Sequence, residues 1–395
     1  MLNRRHCLHT LASLPLALHG SQLWAAPAAG SKLLLVFLRG GYDAASLLVP
    51  ISSSFYYEAR PQIAIAKPGT DAQCALPLTS DWGLHPALRD SLYPYYQRGQ
   101  LAFIPFAGTH NVSRSHFETQ DHIEMGQDDT ARKNYQSGFL NRLAAVLNGA
   151  PAMSFTPQLP LIFQGSAQVA NASLASRSKS SVNARQSALI AAMYKDSSLE
   201  AQVSEGFAIR DEIQQEMLAE MQAANRNALS SKGFALEAQR MARLMNDKFN
   251  LGFIDVGGWD THVNQGAATG TLANRFTELG QGLDAFAQGM GAAWKNTTVV
   301  VLSEFGRTFR QNGNRGTDHG HGSVYWVLGG SVQGGKIAGD QVPISQPTLF
   351  QNRDYPVLND YRAVLGGLLQ AQFGLNVQQL DTVFPGVGVR DWGLL

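Results

Sequence analysis

Hydrophobic residues in this chain gather into short continuous runs rather than alternating with polar ones. Lys32-Leu33-Leu34-Leu35-Val36-Phe37-Leu38 is the clearest run, bounded by Arg39-Gly40-Gly41. A run without polar alternation fits a strand buried on both faces, as in a parallel sheet. Similar runs begin at Leu101, Leu159, Leu251, Thr298 and Val324. Between them, helical patterns cover 86–98, 116–125, 186–194, 199–245, 272–294 and 361–373. Strands alternating with helices predict an α/β fold, a three-layer α/β/α sandwich around a mainly parallel central sheet. The Ser-, Ala-, Asn- and Gln-rich stretch from 164 to 185 leads into a helical insertion that reaches about residue 250. No linker divides the remainder, so 30–395 reads as one domain with this insertion.

The first 29 residues follow a different pattern. Arg4-Arg5 precedes a modest apolar stretch from Leu8 to Leu18, and Ala25-Ala26-Pro27-Ala28 follows. A charged start, a short apolar middle and small residues at the end form a secretory signal. The paired arginines and weak apolar run favour the twin-arginine export machinery over the general route, although Cys7 stands where that pattern usually has Phe. Periplasmic or secreted location follows as an expectation. The apolar run falls well short of the roughly 20 residues a membrane span needs, so no stable span is expected in the mature protein.

Composition narrows the partners. The chain has 395 residues, 31 basic and 30 acidic, a balance that leaves no electrostatic footprint for nucleic acid. Cleavage after Ala28 would remove Cys7 and leave Cys74 alone, so no intramolecular disulfide is expected.

Ligands in open α/β sheets bind beyond the carboxyl ends of the strands, and this is where the chemistry-bearing residues fall. Asp43 follows the first run, and Gly108 to His116 follows the second. Trp259-Asp260-Thr261-His262 comes after the run at 251, and Ser303-Glu304-Phe305-Gly306-Arg307 after the run at 298. Asp318-His319-Gly320-His321 directly precedes the run at 324. Imidazoles mixed with carboxylates suit Zn²⁺ or a similar cation. Asp43, Asp260, His262, Glu304, Asp318, His319 and His321 are the candidate metal ligands, and His116 is either a ligand or a donor behind one. Some have a plainer reading: Asp260 as an Asx-turn acid, His262 as a surface histidine, Glu304 with Arg307 as a salt bridge. Ser115-His-Phe-Glu118 is a capping-box pattern, yet a serine at a helix start also meets amides that favour developing negative charge.

Taken together, these motifs resemble the family called domain of unknown function 1501, whose members are bacterial proteins that commonly carry twin-arginine signals. The resemblance rests on Phe37-Leu38-Arg39-Gly40-Gly41-Tyr42-Asp43, Arg60-Pro61, Gly83-Leu84-His85-Pro86, Arg114-Ser115-His116-Phe117, Asp260-Thr261-His262, Ser303-Glu304-Phe305-Gly306-Arg307 and Gly316 to Gly322. It implies a relation to the alkaline phosphatase and sulfatase superfamily. That relation implies an acid after the first strand (Asp43), a nucleophile at a helix start (Ser115, with Ser113 competing) and metal ligands at Asp260, His262 and His319 or His321. Those enzymes usually show Asp-His where this chain has Glu304-Phe305, which puts the second metal position in question.

The expected function is an exported, metal-dependent hydrolase of phosphate or sulfate esters. One or two divalent ions (Zn, Ca, Mg or Mn) would assist a serine or a water on the metal in attacking a small anionic ester. Arg39, Arg114 and Arg307 are the candidates to hold the anion, because guanidinium matches tetrahedral oxyanions. The alternative is a non-catalytic binding or assembly protein on a degenerate scaffold. Nucleotide-cofactor binding has little support, because Arg39-Gly40-Gly41 lacks both phosphate-binding glycine spacings.

Overall fold

The computed structural model describes residues 30–128, 130–174, 184–197, 199–203, 205–206 and 233–395. The expected export signal and part of the 164–250 segment lie outside these residues. Nine strands form the central sheet: β1 (Lys32–Leu38), β2 (Leu101–Gly108), β3 (Ala152–Ser154), β4 (Ala170–Asn171), β5 (Leu251–Val256), β6 (Thr297–Ser303), β7 (Ser323–Gly329), β8 (Lys336–Ile337) and β9 (Asn359–Asp360). Their order is β8-β2-β7-β6-β1-β5-β3-β4, with β9 also pairing with β2. All pairings are parallel except the two made by β7.

The apolar run of β1 is continuous because both of its faces are covered. Leu34, Val36 and Leu38 point into one hydrophobic cluster, whereas Leu33, Leu35 and Phe37 point into the other. Helices α3 (Phe234–Asp247) and α4 (Thr271–Met290) cover the first face through Met241, Met245, Phe276, Leu283 and Phe286. On the second face lie α2 (Phe139–Val146), α5 (Tyr361–Phe373) and α6 (Val377–Val383), through Leu140, Leu143, Leu365, Leu369 and Leu380. Helix α1 (His116–Met125) adds Ile123 to the second face. The result is the three-layer α/β/α sandwich expected from the alternation of runs. A small antiparallel sheet (Leu48–Val49, Leu76–Pro77, Gly83–Leu84) stands beside it.

Two local expectations need correction. The run from Leu159 to Phe163 is not a strand; Leu161–Phe163 form a 3-10 turn behind Pro160, and the sheet takes Ala152–Ser154 instead. Proline removes a ladder donor, and the Ile162 amide is committed to Glu124. The helical pattern over 86–98 breaks into the short pieces Pro86–Leu88 and Tyr93–Gln97, with Pro94 within the second. Cys74 is a free, half-buried thiol. Among the described residues no helix is long and apolar enough to cross a membrane.

Candidate metal centre

The carboxyl ends of β1, β2, β5 and β6 and the start of antiparallel β7 share one edge of the sheet. Each strand therefore delivers its following loop to the same place. Two loops are laced together by backbone: Thr317 donates to Thr261 O, Asn264 to Asn314 O and Gln265 to Arg315 O. The 306–308 and 318–321 segments pair in turn, with Gly306 donating to His321 O, Gly320 to Gly306 O and Thr308 to Asp318 O. Gly40 lets β1 pass close beside the Asp260 loop. Its φ is +123°, and a Cβ there would lie 2.7 Å from the Asp260 nitrogen.

At the centre, His116 and His262 each turn Nε2 toward His319 Nε2, and all three rings approach Asp260. His319 Nε2 lies 2.9 Å from His116 Nε2 and 3.2 Å from His262 Nε2. Asp260 Oδ1 is 2.8 Å from His262 Nε2 and 3.2 Å from His319 Nε2, and its Oδ2 is 3.5 Å from His116 Nε2. His116, Asp260 and His319 each offer a ligand atom within 4.8 Å of the others.

The opposite nitrogen of every ring is anchored. His116 Nδ1 donates to Glu304 Oε1 at 2.8 Å, His262 Nδ1 to Asp318 Oδ1 at 3.1 Å and His319 Nδ1 to the Arg114 carbonyl at 3.1 Å. With the rings neutral, these anchors place the proton on Nδ1 in each and leave the Nε2 lone pairs directed at Asp260 and at His319. In that state the facing lone pairs repel, and a cation among them offsets the repulsion. Metal-bound histidines commonly donate their second nitrogen to a carboxylate or carbonyl in this way. Zn–N bonds of about 2.0–2.1 Å give tetrahedral ligand separations near roughly 3.4 Å, comparable to the edges observed. The donor set thus fits a divalent ion.

Neighbouring charges tune the cluster. Burial pushes the Asp260 carboxyl up, but the Arg307 guanidinium outweighs it and holds the group below the usual carboxylate range. Burial acts likewise on Glu304 and is outweighed by hydrogen bonds from His116, Gln120 and Ser303. The hydrogen bond to Glu304 raises His116, whereas burial and then the nearby His116 lower His319.

Several candidates are placed elsewhere or act differently. Asp43 is no ligand of this cluster: it is buried, held by Arg60 at 2.6 and 3.0 Å, Ser46 at 2.7 Å and Gln265 at 2.6 Å. Glu304 is fully buried and anchors His116, also accepting from Gly40 N and Gln120 Nε2 at 2.8 Å. Asp318 anchors His262 and accepts from Asn312. His321 packs its ring against Phe350, centroids 4.7 Å apart, and burial lowers its pKa to about 4.

The three candidate anion-binding guanidiniums are already committed to carboxylates. Arg39 meets Glu124 and Asp255, Arg114 meets Asp354, and the fully buried Arg307 meets Asp260 rather than Glu304. Ser115 occupies the N-cap of α1, yet its side chain makes no cap hydrogen bond, and Glu118 pairs with Lys133 instead of closing a capping box. Gln120 and Asp354 were not singled out from sequence. Gln120 stands four residues after His116, so helical spacing alone puts both on one face.

Comparison with curated proteins finds no match. Among solved structures, Ps i-CgsB in complex with k-i-k-neocarrahexaose is similar at 9% identity and a TM-score of 0.43, covering 92% of this chain and 75% of that one. A protein in the alkaline phosphatase superfamily from Vibrio parahaemolyticus is similar at 10% identity and a TM-score of 0.37, covering 85% and 71%. The family described as "Protein of unknown function (DUF1501)" matches residues 31–384, nearly the whole of the described sandwich, and the chain belongs to that family.

Proposed function

We propose that this protein is a metal-dependent hydrolase of phosphate or sulfate esters. The observation that carries the reading is the convergence of three Nδ1-anchored imidazoles on Asp260. His116, His262, His319 and Asp260 would hold one ion, and their nitrogen-rich set suits zinc better than calcium, magnesium or manganese. A divalent ion there supplies Lewis acidity, polarising an ester oxygen and offsetting the charge that builds on it. Arg307 keeps Asp260 ionised, while Glu304 and Asp318 keep the ring protons on Nδ1. Ser115, half-buried and one residue before His116, offers a hydroxyl that is free of capping duty at the first turn of α1. That position suits a nucleophile, because the amides of the first turn favour negative charge.

Metal analysis of protein purified without chelator, combined with an ester panel, tests this reading. About one transition-metal ion per chain is expected, together with hydrolysis of at least one phosphate or sulfate ester that chelation abolishes and metal restores. Protein that stays metal-free after challenge overturns the reading. Metal without turnover favours the alternative, a binding or assembly protein. Phe305 standing in place of an imidazole, beside His116 and His319, is the feature that favours that alternative.

Twin-arginine export belongs to the same proposal, since it carries proteins already folded and able to hold their metal. Replacing Arg4 and Arg5 by lysine should trap the precursor in the cytoplasm. Unchanged export of that variant would exclude this route.

A further inference from the structure

We infer that Asp354 is a positioning residue for the His319 imidazole: by clamping the Arg114 guanidinium it holds the Arg114 carbonyl on His319 Nδ1. Its consequence for metal binding rests on the metal reading above. Arg114 lies in the loop from β2 into α1, just ahead of His116, and its carbonyl accepts from His319 Nδ1 at 3.1 Å. Its backbone is left-handed, with φ at +53°. A residue other than glycine keeps that conformation only where its surroundings impose it. The imposing contacts are at the guanidinium. Its Nε and one terminal nitrogen reach Asp354 Oδ2 at 3.0 and 2.8 Å, and the same terminal nitrogen reaches Gln351 Oε1 at 2.7 Å. Bonds such as Ser113 N to Asn111 Oδ1 at 2.9 Å and Ser115 N to Ser113 Oγ at 3.3 Å stay within the loop and tie it to no neighbour.

Asp354 can anchor this loop because the fold fixes Asp354 in turn. Its side chain is fully buried and also meets Arg353 at 3.1 Å. Its backbone closes a tight turn: Phe350 N donates to Asp354 O at 2.8 Å, and Gln351 and Asn352 are both left-handed, as a short hairpin turn requires. The turn is fastened to the segment that borders the cluster, with Phe309 N donating to Arg353 O and Thr308 N to Asp318 O. His319 follows Asp318, so the ring and its acceptor share one frame although Arg114 and His319 are 205 residues apart in sequence. A carbonyl held in this way orients the ring and keeps its proton on Nδ1, which leaves Nε2 for the ion. Asp354 itself is no ligand; it acts through Arg114.

Comparing Asp354→Asn with Asp43→Asn separates positioning from stability, because each removes the charge of a buried acid paired with a guanidinium. Both variants should unfold more easily than the wild type. Zinc affinity, read by competition with a chromophoric chelator, should fall roughly tenfold or more in Asp354→Asn alone. The His319 Nδ1 proton is followed at pH 7.5 by nitrogen-edited NMR without metal, and assigned by its loss in His319→Gln. It should be sharp in the wild type and in Asp43→Asn, and lost to solvent exchange in Asp354→Asn. If Asp354→Asn does not fold, Arg114→Gly takes its place: glycine adopts the left-handed backbone freely, but no clamp then holds it there. Either readout left unchanged in the folded variant overturns the assignment. So does an equal loss of affinity in Asp43→Asn, which would trace the effect to lower stability. A wild type that takes up no zinc ends the metal reading, and the His319 proton alone then decides whether Asp354 holds the ring.

Discussion

Asp43 and Glu304 show how neighbours decide what a carboxylate does. Both are buried acids just past an inner strand of the sheet, yet one meets a cation and the other an imidazole. Asp43→Asn leaves the Arg60 guanidinium buried without its counter-charge. Stability should fall by about 3–5 kcal/mol, while metal bound per folded chain stays at the wild-type value; denaturant unfolding beside elemental analysis checks both. Glu304→Gln removes the charge that fixes His116 in its Nδ1-protonated form. Metal affinity should fall roughly 10–100-fold, read by competition with a chromophoric chelator, and the far-ultraviolet spectrum should be preserved. Sequence reading could put acids and imidazoles at strand ends, because strand ends are visible as the limits of apolar runs. It could not tell Asp43 from Asp260. The partners that separate them, Arg60 and Arg307, stand 17 and 47 residues away and are brought in only by the folded loops.

At the scale of elements, the inner strands were legible because burial on both faces leaves an uninterrupted apolar signature, as in β1, β5, β6 and β7. Short edge strands carry no such signature: Ala170–Asn171 is two residues long and half buried, and nothing in its composition marks a strand. Helix α1 was legible in both its limits but not in its cap chemistry, since Ser115 has the N-cap position without the cap bond. That absence changes what a substitution tests. A capping serine costs about 0.5–2 kcal/mol when replaced by alanine, whereas one without the bond behaves as a surface position, within about 0.5 kcal/mol. Ser115→Ala should therefore melt like the wild type. Ester hydrolysis should nevertheless collapse if this hydroxyl is the nucleophile. Full turnover in a normally melting Ser115→Ala protein would remove Ser115 from the chemistry and leave Ser113, whose hydroxyl neighbours the Ser115 amide, or water to be examined.

Over the whole molecule, the sheet and its two helical layers rest on cores that must stay dry, and one buried histidine ties that requirement to pH. His85 is fully buried beside the small sheet, its ring centroid 5.0 Å from that of Phe276 on α4. Nδ1 accepts from the Ala87 amide and Nε2–H donates to the Ala267 carbonyl, an arrangement that requires the neutral ring. Burial lowers its pKa to about 4 against an ordinary 6.5. Between those values the unfolded chain binds the proton and the folded chain does not, so stability rises with pH across this window. The contribution is fully present above about pH 6.5 and is lost as pH falls toward 4, reaching about 3 kcal/mol in total and about 2 kcal/mol by pH 5. Other histidines titrate in the same range, some in the opposite sense, so the comparison has to isolate this ring. His85→Gln should be less stable than wild type at pH 7.5, because two hydrogen bonds are disturbed. The deficit should narrow by about 2 kcal/mol at pH 5, where only the wild type gains a proton at this position on unfolding and is destabilised by it. Urea unfolding of both proteins at the two pH values measures this difference directly, and a deficit that stays constant with pH would show that His85 takes up its proton without leaving the core.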